Sequence, residues 1–168
     1  GSAEKLVGIP PASMGAAKAG LLGELFPEIL KAQTGYTAGL DLNIEELMKL
    51  RPDVVFYLAG NKEMGKMIKN AGLPAVAISP TKWNYDVLRT YDEWIKTLSQ
   101  IFPESAKSKE VSRYSKKVYA DIQKKVGKIK PADRKKALFL FQYDDKRMVT
   151  SGRSFFGQYW CDAVGARN

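Results

Sequence analysis

The chain holds few side chains that could perform catalysis. It contains no histidine and a single cysteine, Cys161. Without histidine, Ser-His-Asp and Cys-His nucleophiles are excluded, as are histidine-ligated metal sites. One cysteine can form neither an internal disulfide nor a thiolate cluster. The aromatic and aliphatic neighbours of Cys161 predict a buried structural thiol. The composition therefore favours a binding protein over an enzyme, and we assign no catalytic residue.

Two short motifs could be mistaken for catalytic sites. Asp144-Asp145 is a carboxylate pair, but it lies between two strand-like runs and is followed by Lys146-Arg147, which predicts a hairpin turn. The segment from Gly152 to Gly157 contains too few glycines for a phosphate-binding loop and lacks the Gly-Lys-Ser/Thr sequence. Neither motif supports an enzymatic function.

Binding chemistry is available from guanidinium and aromatic side chains. Arg153 is the strongest candidate, because its fork of donors suits carboxylate or catecholate oxygens, with Phe155 or Phe156 supporting it. The alternative is a surface arginine without a ligand. Trp83 and its neighbour Tyr85 either stack on a flat ligand or only anchor the helical region that follows. Tyr143 is a further candidate for ligand binding.

Among the structural elements that must position binding residues, the one most clearly predicted by the sequence lies between Asn43 and Leu58. Asn43 can cap a short helix whose first turn carries Glu45 and Glu46, where the helix dipole favours negative charge. Pro52 disfavours the α region for Arg51 and predicts the end of this helix. The apolar run 54–59 then predicts a strand covered on both faces. This is a helix-to-strand unit of an α/β domain.

Similar signals recur along the chain in a consistent order. They are a strand at Lys5–Pro11, Gly35-Tyr36-Thr37 ahead of the capped helix, a helix from Glu63 to Ala71, a strand at Leu73–Ile78, a helix-rich region from Trp83 to Lys130, a strand at Lys136–Phe141, the loop Ser151–Gly157, and the turn Gly165-Ala166-Arg167-Asn168. In order and spacing, these motifs resemble the cluster III substrate-binding proteins of bacterial ABC importers, which carry ferric siderophores, haem or cobalamin. The resemblance covers nearly the whole chain.

The resemblance implies an α/β fold with a Rossmann-like parallel-sheet lobe, a long helical connector and a partial second α/β lobe. The expected boundaries are residues 1–82, 83–133 and 134–168. The family's first strand and helix should precede Glu4 and much of its second lobe should follow Asn168, so the chain is expected to be a fragment, with Gly1-Ser2 compatible with a cleaved tag. A truncated second lobe would leave strand edges open, which predicts association of the fragment with a second copy or folding back on the first lobe.

The resemblance also assigns roles to individual residues. Tyr36 occupies a position where the family often presents a ligand-contacting side chain, and Asn61 lies in a second such loop. Tyr36 either ligates ferric iron or bonds an anionic chelate, or else covers a core edge. Family members dock on their permease through one glutamate from each lobe. Glu45 matches the first position, whereas Gln158 stands at the second, where Asp162 could substitute.

The function implied is capture of a metal chelate outside the cytoplasm and its delivery to an ABC permease, free in the periplasm or anchored to the membrane. The expected ligand is a ferric siderophore, a ferric citrate-like chelate, tyrosine-ligated haem or cobalamin, and no cofactor is expected. The alternative from another class is a cofactor-assembly protein or enzyme that shares the two-lobed fold of nitrogenase-like proteins.

The positive charge is confined to one region. Residues 1–80 are neutral overall, and the segment from Lys107 to Lys136 carries the whole excess of +9. Apolar residues recur through it every three or four positions, which predicts a helix with one packed face and one lysine-rich solvated face. They are Val111, Tyr114, Val118, Ile122, Val126 and Ile129. An anionic membrane surface or ligand steering is the second interpretation, and nucleic acid is disfavoured because no recognised motif accompanies the charge.

Overall fold

The computed structural model describes residues 3–39, 41–103 and 107–168. These group into two compact units, Gly1–Ser79 and Pro80–Asn168. The mixed α/β class predicted from the sequence is confirmed. Both helices of the helix-rich region fall in the second unit, and the three-part division at residues 82 and 133 stays a prediction.

The first unit is built around a parallel β-α-β arrangement. Its elements are α1 (Pro11–Ala19), α2 (Leu21–Leu25), β1 (Thr37–Ala38), β2 (Asp41–Leu42), α3 (Ile44–Lys49), β3 (Val55–Leu58), α4 (Lys62–Asn70) and β4 (Ala75–Ile78). Strands β3 and β4 pair in parallel, with Val55 opposite Ala75 and Leu58 opposite Ile78. Ile68 of α4 is fully buried, because an amphipathic crossover helix must cover the sheet that it connects.

The predicted start and end of α3 are confirmed. The Asn43 side-chain oxygen accepts hydrogen bonds from the backbone N–H groups of Glu45 and Glu46, both at 3.1 Å. Leu47 faces the core with 4% of its surface exposed. The helix ends at Lys49, and Arg51 adopts a left-handed φ of 49° immediately before Pro52.

Two details of the first unit differ from expectation. The predicted strand Lys5–Pro11 is reduced to a single parallel bridge between Gly8 and Gln33, between a 3₁₀ turn that ends at Lys5 and helix α1, which begins at Pro11. The predicted strand at 54–59 is also covered less completely than expected, because the first three residues of β3 are only half-buried and Leu58 is 54% exposed.

The second unit combines two long helices with a hairpin and a short final helix. Its elements are α5 (Val87–Ile101), α6 (Ser108–Val126), β5 (Leu140–Tyr143), β6 (Met148–Thr150) and α7 (Phe156–Val164). Helix α6 packs on α7 through the Gln123 amide, which donates to the Ala163 carbonyl at 2.7 Å. The helix-rich region expected from Trp83 to Lys130 contains two helices that pack on each other. No helix in the described ranges is long and apolar enough to cross a bilayer.

The hairpin and the cysteine agree with the sequence. Strands β5 and β6 pair antiparallel, and the Asp144 carboxylate accepts from the backbone N–H groups of Lys146 and Arg147 at 2.9 and 3.1 Å. These bonds hold the pKa of Asp144 below its ordinary value. Cys161 is 1% exposed, and burial raises the pKa of its thiol.

Two patterns in the second unit were misjudged. The expected strand at Lys136–Phe141 splits into a parallel bridge between Lys136 and Arg167 and the antiparallel β5, because the chain changes partner between them. On α6, the predicted packed face is narrower than the apolar spacing indicates. Tyr114 is 69% exposed and Val118 39% exposed, and the helix packs mainly on α5 and α7.

We expect Gly65→Ala to destabilise the first unit. A Cβ atom at Gly65 would lie 2.6 Å from Cε2 and 2.7 Å from Cζ of the Tyr57 ring, so α4 would have to move away from β3. Overpacking of this kind costs roughly 1–3 kcal/mol. Urea unfolding followed by circular dichroism measures the change.

The matched control is Gly15→Ala in α1, where a Cβ meets no atom within 4 Å. It should stabilise by up to about 1 kcal/mol, as alanine does in an exposed helix interior. Equal effects of the two substitutions would show that the contact between α4 and Tyr57 does not limit stability.

Candidate functional site

The loop that carries Arg153 is held by the last residues of the chain. Gly165 ends α7 with a left-handed φ of 68°, which turns the backbone towards the loop. The Asn168 side chain then donates to the carbonyl oxygens of Ser151 and Gly152 at 3.4 and 3.3 Å. The Gly-x-x-Asn turn noted in the sequence thus closes back on the loop that precedes α7.

Four aromatic rings pack together where this loop enters α7, and we call them the aromatic cluster: Tyr85, Phe141, Phe155 and Phe156. The ring centroid of Phe155 lies 4.5 Å from that of Phe141 and 4.6 Å from that of Phe156. Tyr85 meets Phe156 edge-on at 5.4 Å. Such edge-to-face pairs add stability beyond the area that they bury. Both phenylalanines of the loop are therefore half-buried, whereas the sequence predicted that one would support Arg153 and one would fill the core.

The turn before α5 contributes Tyr85 to this cluster in a strained conformation. Asn84 and Tyr85 have φ values of 54° and 64°. Two successive residues other than glycine seldom adopt such values. Asp86 then caps α5 by accepting from the Arg89 backbone N–H at 2.9 Å. Burial and the nearby Asp86 carboxylate raise the pKa of Tyr159. The turn is thus held by a ring contact on one side and a helix cap on the other.

Trp83 is stacked against a cation that the sequence analysis missed. The Arg89 guanidinium carbon lies 3.6 Å from the centroid of the indole ring, and the Lys82 ammonium lies 4.8 Å from it. One face of the indole is therefore occupied by Arg89. This contact could have been predicted from the sequence only by placing the start of α5 near Asp86. The first turn of a helix that begins there brings Arg89 back over Trp83.

The two remaining candidates of the second unit are exposed. Arg153 lies in a bend of the loop, and its guanidinium forms no ion pair within the part of the chain that the structure describes. Tyr143 ends β5 with 77% of its surface exposed. An open cavity of about 430 Å³ on this unit is lined by Lys136, Ala137, Leu138, Arg167 and Asn168. It contains neither candidate.

In the first unit, Tyr36 is half-buried on the edge of the core. A Cβ atom at Gly8 would lie 2.8 Å from Cε1 of the Tyr36 ring, so the ring packs closely on that glycine. Burial raises the pKa of the phenol. The Tyr36 carbonyl also accepts from the Asn43 backbone N–H at 2.9 Å, which ties the residue to the cap of α3. These contacts support the interpretation that Tyr36 covers an edge of the core. They do not test whether Tyr36 binds a ligand.

The other positions taken from the resemblance have local partners of their own. Asn61 caps α4, its side-chain oxygen accepting from the Met64 backbone N–H at 3.0 Å. Glu45 is exposed in the first turn of α3, while the adjacent Glu46 pairs with Lys49. The Gln158 amide donates to the Asp162 carboxylate at 2.9 Å, so the two alternatives for the second docking position are hydrogen-bonded to each other.

The structure therefore brings Tyr85, Phe155 and Phe156 together where the Arg153 loop enters α7. It places Tyr36 and Asn61 at separate points of the first unit. Among the described residues, no group of three or more histidine, cysteine, aspartate or glutamate side chains is gathered as a metal site. This arrangement offers a ligand an unpaired guanidinium, exposed aromatic edges and amide groups. Such groups can recognise a ligand.

Comparison with solved structures shows the same fold. A periplasmic solute-binding protein from Veillonella parvula is 24% identical with a TM-score of 0.78, over 99% of this chain and 50% of its own. FhuD from Vibrio cholerae, solved with Fe³⁺-Desferal, is 15% identical with a TM-score of 0.66, over 99% and 62%. IsdE from S. aureus, solved with haem, is 21% identical with a TM-score of 0.55, over 76% and 47%.

This chain thus spans about half the length of the Veillonella structure. No curated protein matches it. A family profile described as periplasmic binding protein matches residues 1–168, the whole chain. The resemblance predicted from the sequence is confirmed at this level, and the chain belongs to the periplasmic binding protein family.

Proposed function

We propose that this chain forms part of the substrate-binding component of an ABC importer, which captures a metal chelate and delivers it to a membrane permease. The observation that carries the proposal is the family match over the whole chain together with neighbours solved with such ligands. BhuT was solved with two haems, FhuD with Fe³⁺-Desferal, and BauB with acinetobactin and ferric iron. The proposed ligand is accordingly an iron chelate of the siderophore or haem type, or cobalamin, and the proposed location is extracytoplasmic.

Arg153 is proposed as the main ligand contact of the second unit. Its guanidinium has no carboxylate partner in the described residues, and the loop beneath it is held by the aromatic cluster and by Asn168. A guanidinium on a held loop loses little freedom when it binds, so more of the interaction energy is available for affinity. Its planar fork matches the paired oxygens of a carboxylate or catecholate.

Tyr143 and Trp83 are proposed as apolar walls for the same ligand. Tyr143 presents an exposed ring at the end of β5. Arg89 and Lys82 both lie over the Trp83 indole, and their charges add attraction for an anionic chelate. Stacking on such rings would suit a flat macrocycle or an aromatic siderophore group.

In the first unit, Tyr36 and Asn61 are proposed as secondary contacts. Tyr36 is fixed by its packing on Gly8, and the raised pKa of its phenol keeps it a hydrogen-bond donor unless ferric iron displaces the proton. Asn61 uses its side-chain oxygen to cap α4, which leaves its amide N–H groups to donate to a ligand.

Docking on the permease is proposed to use Glu45, with Gln158 on the second unit. Glu45 is exposed beside a backbone cap that fixes the first turn of α3, so its carboxylate stands ready for a cationic partner. Gln158 is engaged with Asp162, and the pair together presents one carboxylate and one amide. This would pair with an arginine more weakly than a free glutamate.

A thermal-shift screen of the natural gene product tests the proposal. Ferrioxamine, a ferric catecholate, ferric citrate, haem and cyanocobalamin are each compared with the iron-free chelator or apo-ligand. A ligand that binds only the folded protein should raise its stability by about 2.7 kcal/mol at a hundred times its Kd. No shift with any of these probes at saturating concentration would refute the metal-chelate function.

Arg153→Ala should weaken binding of the anionic chelate identified in that screen. Loss of a charged hydrogen-bonding group costs about 1.5–3 kcal/mol, which corresponds to roughly a 10- to 150-fold increase in Kd. Tryptophan fluorescence titration measures the affinity. Arg113→Ala on α6 is the matched control, an exposed arginine of the same unit, and it should leave Kd within about twofold. An unchanged Kd for Arg153→Ala would remove this residue from the site.

Glu45→Arg should reduce uptake of the chelate by cells while its binding in solution stays unchanged. The reason is like-charge repulsion at a contact that needs a carboxylate, which costs several kcal/mol when the charges face each other. Glu24→Arg on α2 provides a charge-matched control at another exposed site. Uptake of radiolabelled iron is the measurement, and full uptake with Glu45→Arg would rule out the docking role.

A further inference from the structure

Helix α6 carries a row of basic side chains that the proposed function does not use. At 100° per residue, five of them fall within about 100° of the helix circumference. We call this row the basic stripe: Lys109, Arg113, Lys116, Lys117 and Lys124. It extends from Lys109 to Lys124, about 22 Å along the helix.

All five side chains of the basic stripe are exposed. None of them forms an ion pair within the described residues, where the recorded pairs are Lys49–Glu46, Lys66–Glu63 and Arg147–Asp144. The two acidic residues of α6, Glu110 and Asp121, lie outside the arc that the stripe occupies. The helix therefore presents a row of exposed positive charge that forms no ion pair among the described residues.

The packing of α6 explains why the row stays exposed. The helix contacts α7 through Gln123 and α5 through Ser112, whose hydroxyl donates to the Asp92 carboxylate at 3.1 Å. Both contact residues lie to one side of the stripe, and no residue of α6 is fully buried. An exposed arc of one sign costs some stability through self-repulsion, and a partner of opposite charge would relieve that repulsion.

The chemistry of the stripe fits a lipid surface better than a nucleic acid. Four of its five cations are lysines, whose flexible ammonium groups act as point charges and suit a diffuse layer of headgroups. Nucleic-acid sites interleave their cations with aromatic rings for base stacking, and the stripe contains none. A single straight helix also offers a linear contact to a flat surface without the groove that follows a strand.

We propose that the basic stripe of α6 binds the surface of an anionic membrane. The five charges would lie against phospholipid headgroups with the helix parallel to the bilayer. Such a contact would hold the protein at the membrane without insertion, and it is independent of the ligand site and of Glu45.

Vesicle flotation of the full chain tests this inference. Vesicles of phosphatidylcholine with about one third phosphatidylglycerol are compared with pure phosphatidylcholine at ~50 mM and ~500 mM salt, because the attraction decays within a Debye length. The chain should partition onto the anionic vesicles at low salt and be released at high salt. Equal partitioning onto neutral vesicles, or none onto anionic ones, would overturn the proposal.

A variant with Lys109→Gln, Arg113→Gln, Lys116→Gln and Lys124→Gln should lose at least about a hundredfold in partition coefficient, because each basic side chain at an anionic surface contributes about fivefold. The matched control removes the same charge from exposed lysines of the first unit: Lys18→Gln, Lys31→Gln, Lys62→Gln and Lys69→Gln. It should stay within about threefold of the original chain. Equal losses in the two variants would assign the binding to net charge and refute the stripe.

A milder variant, Lys109→Gln with Lys116→Gln, should show an intermediate loss in partition coefficient. It keeps the test valid if the fourfold variant misfolds, and circular dichroism checks the folding of both. Duplex DNA provides the competing ligand. If DNA at equal phosphate concentration removes the chain from the vesicles, the stripe is a nucleic-acid surface and the lipid assignment fails.

Discussion

The aromatic packing of Phe155 on Phe141 and Phe156 is the interaction on which the candidate site of the second unit depends. These rings belong to β5 and to the segment that enters α7, and Tyr85 joins them from the turn before α5. Burying aromatic surface in edge-to-face contacts fixes three segments that are far apart in sequence. The energy gained offsets the left-handed conformations of Asn84 and Tyr85, which would otherwise be costly.

Polar side chains near the candidate sites are used first to satisfy the backbone. Asn43, Asn61 and Asp86 each cap a helix, and Asn168 bonds two loop carbonyls. Helix ends carry unpaired N–H groups that must find partners, so these side chains serve the fold even if they also meet a ligand. The groups left without a partner in the described residues, Arg153 and Glu45 above all, are consequently the better candidates for recognition. The basic stripe lies on α6, whereas the proposed ligand contacts lie outside that helix.

Local elements could be predicted well from the sequence. The Asn43 cap, the end of α3 before Pro52, the β3–α4–β4 order and the Asp144 hairpin depend on interactions within a few residues, and each is present as expected. The strand at Lys5–Pro11, the single strand at Lys136–Phe141 and the packed position of Tyr114 were wrong. Each of these depends on which segment lies alongside, and an apolar run looks the same whether it has a partner or faces solvent.

The sequence by itself therefore determined the absence of histidine chemistry, the caps and turns, the location of the positive charge and the resemblance that the family match confirmed. Only the tertiary structure decided that Arg89 stacks on Trp83, that Tyr36 packs on Gly8, and that Asn168 reaches Ser151 and Gly152. The physical reason is the distance along the chain over which each interaction acts. Capping and turn formation are decided by neighbours along the chain, whereas the surroundings of a side chain depend on which distant segments the hydrophobic effect brings against it.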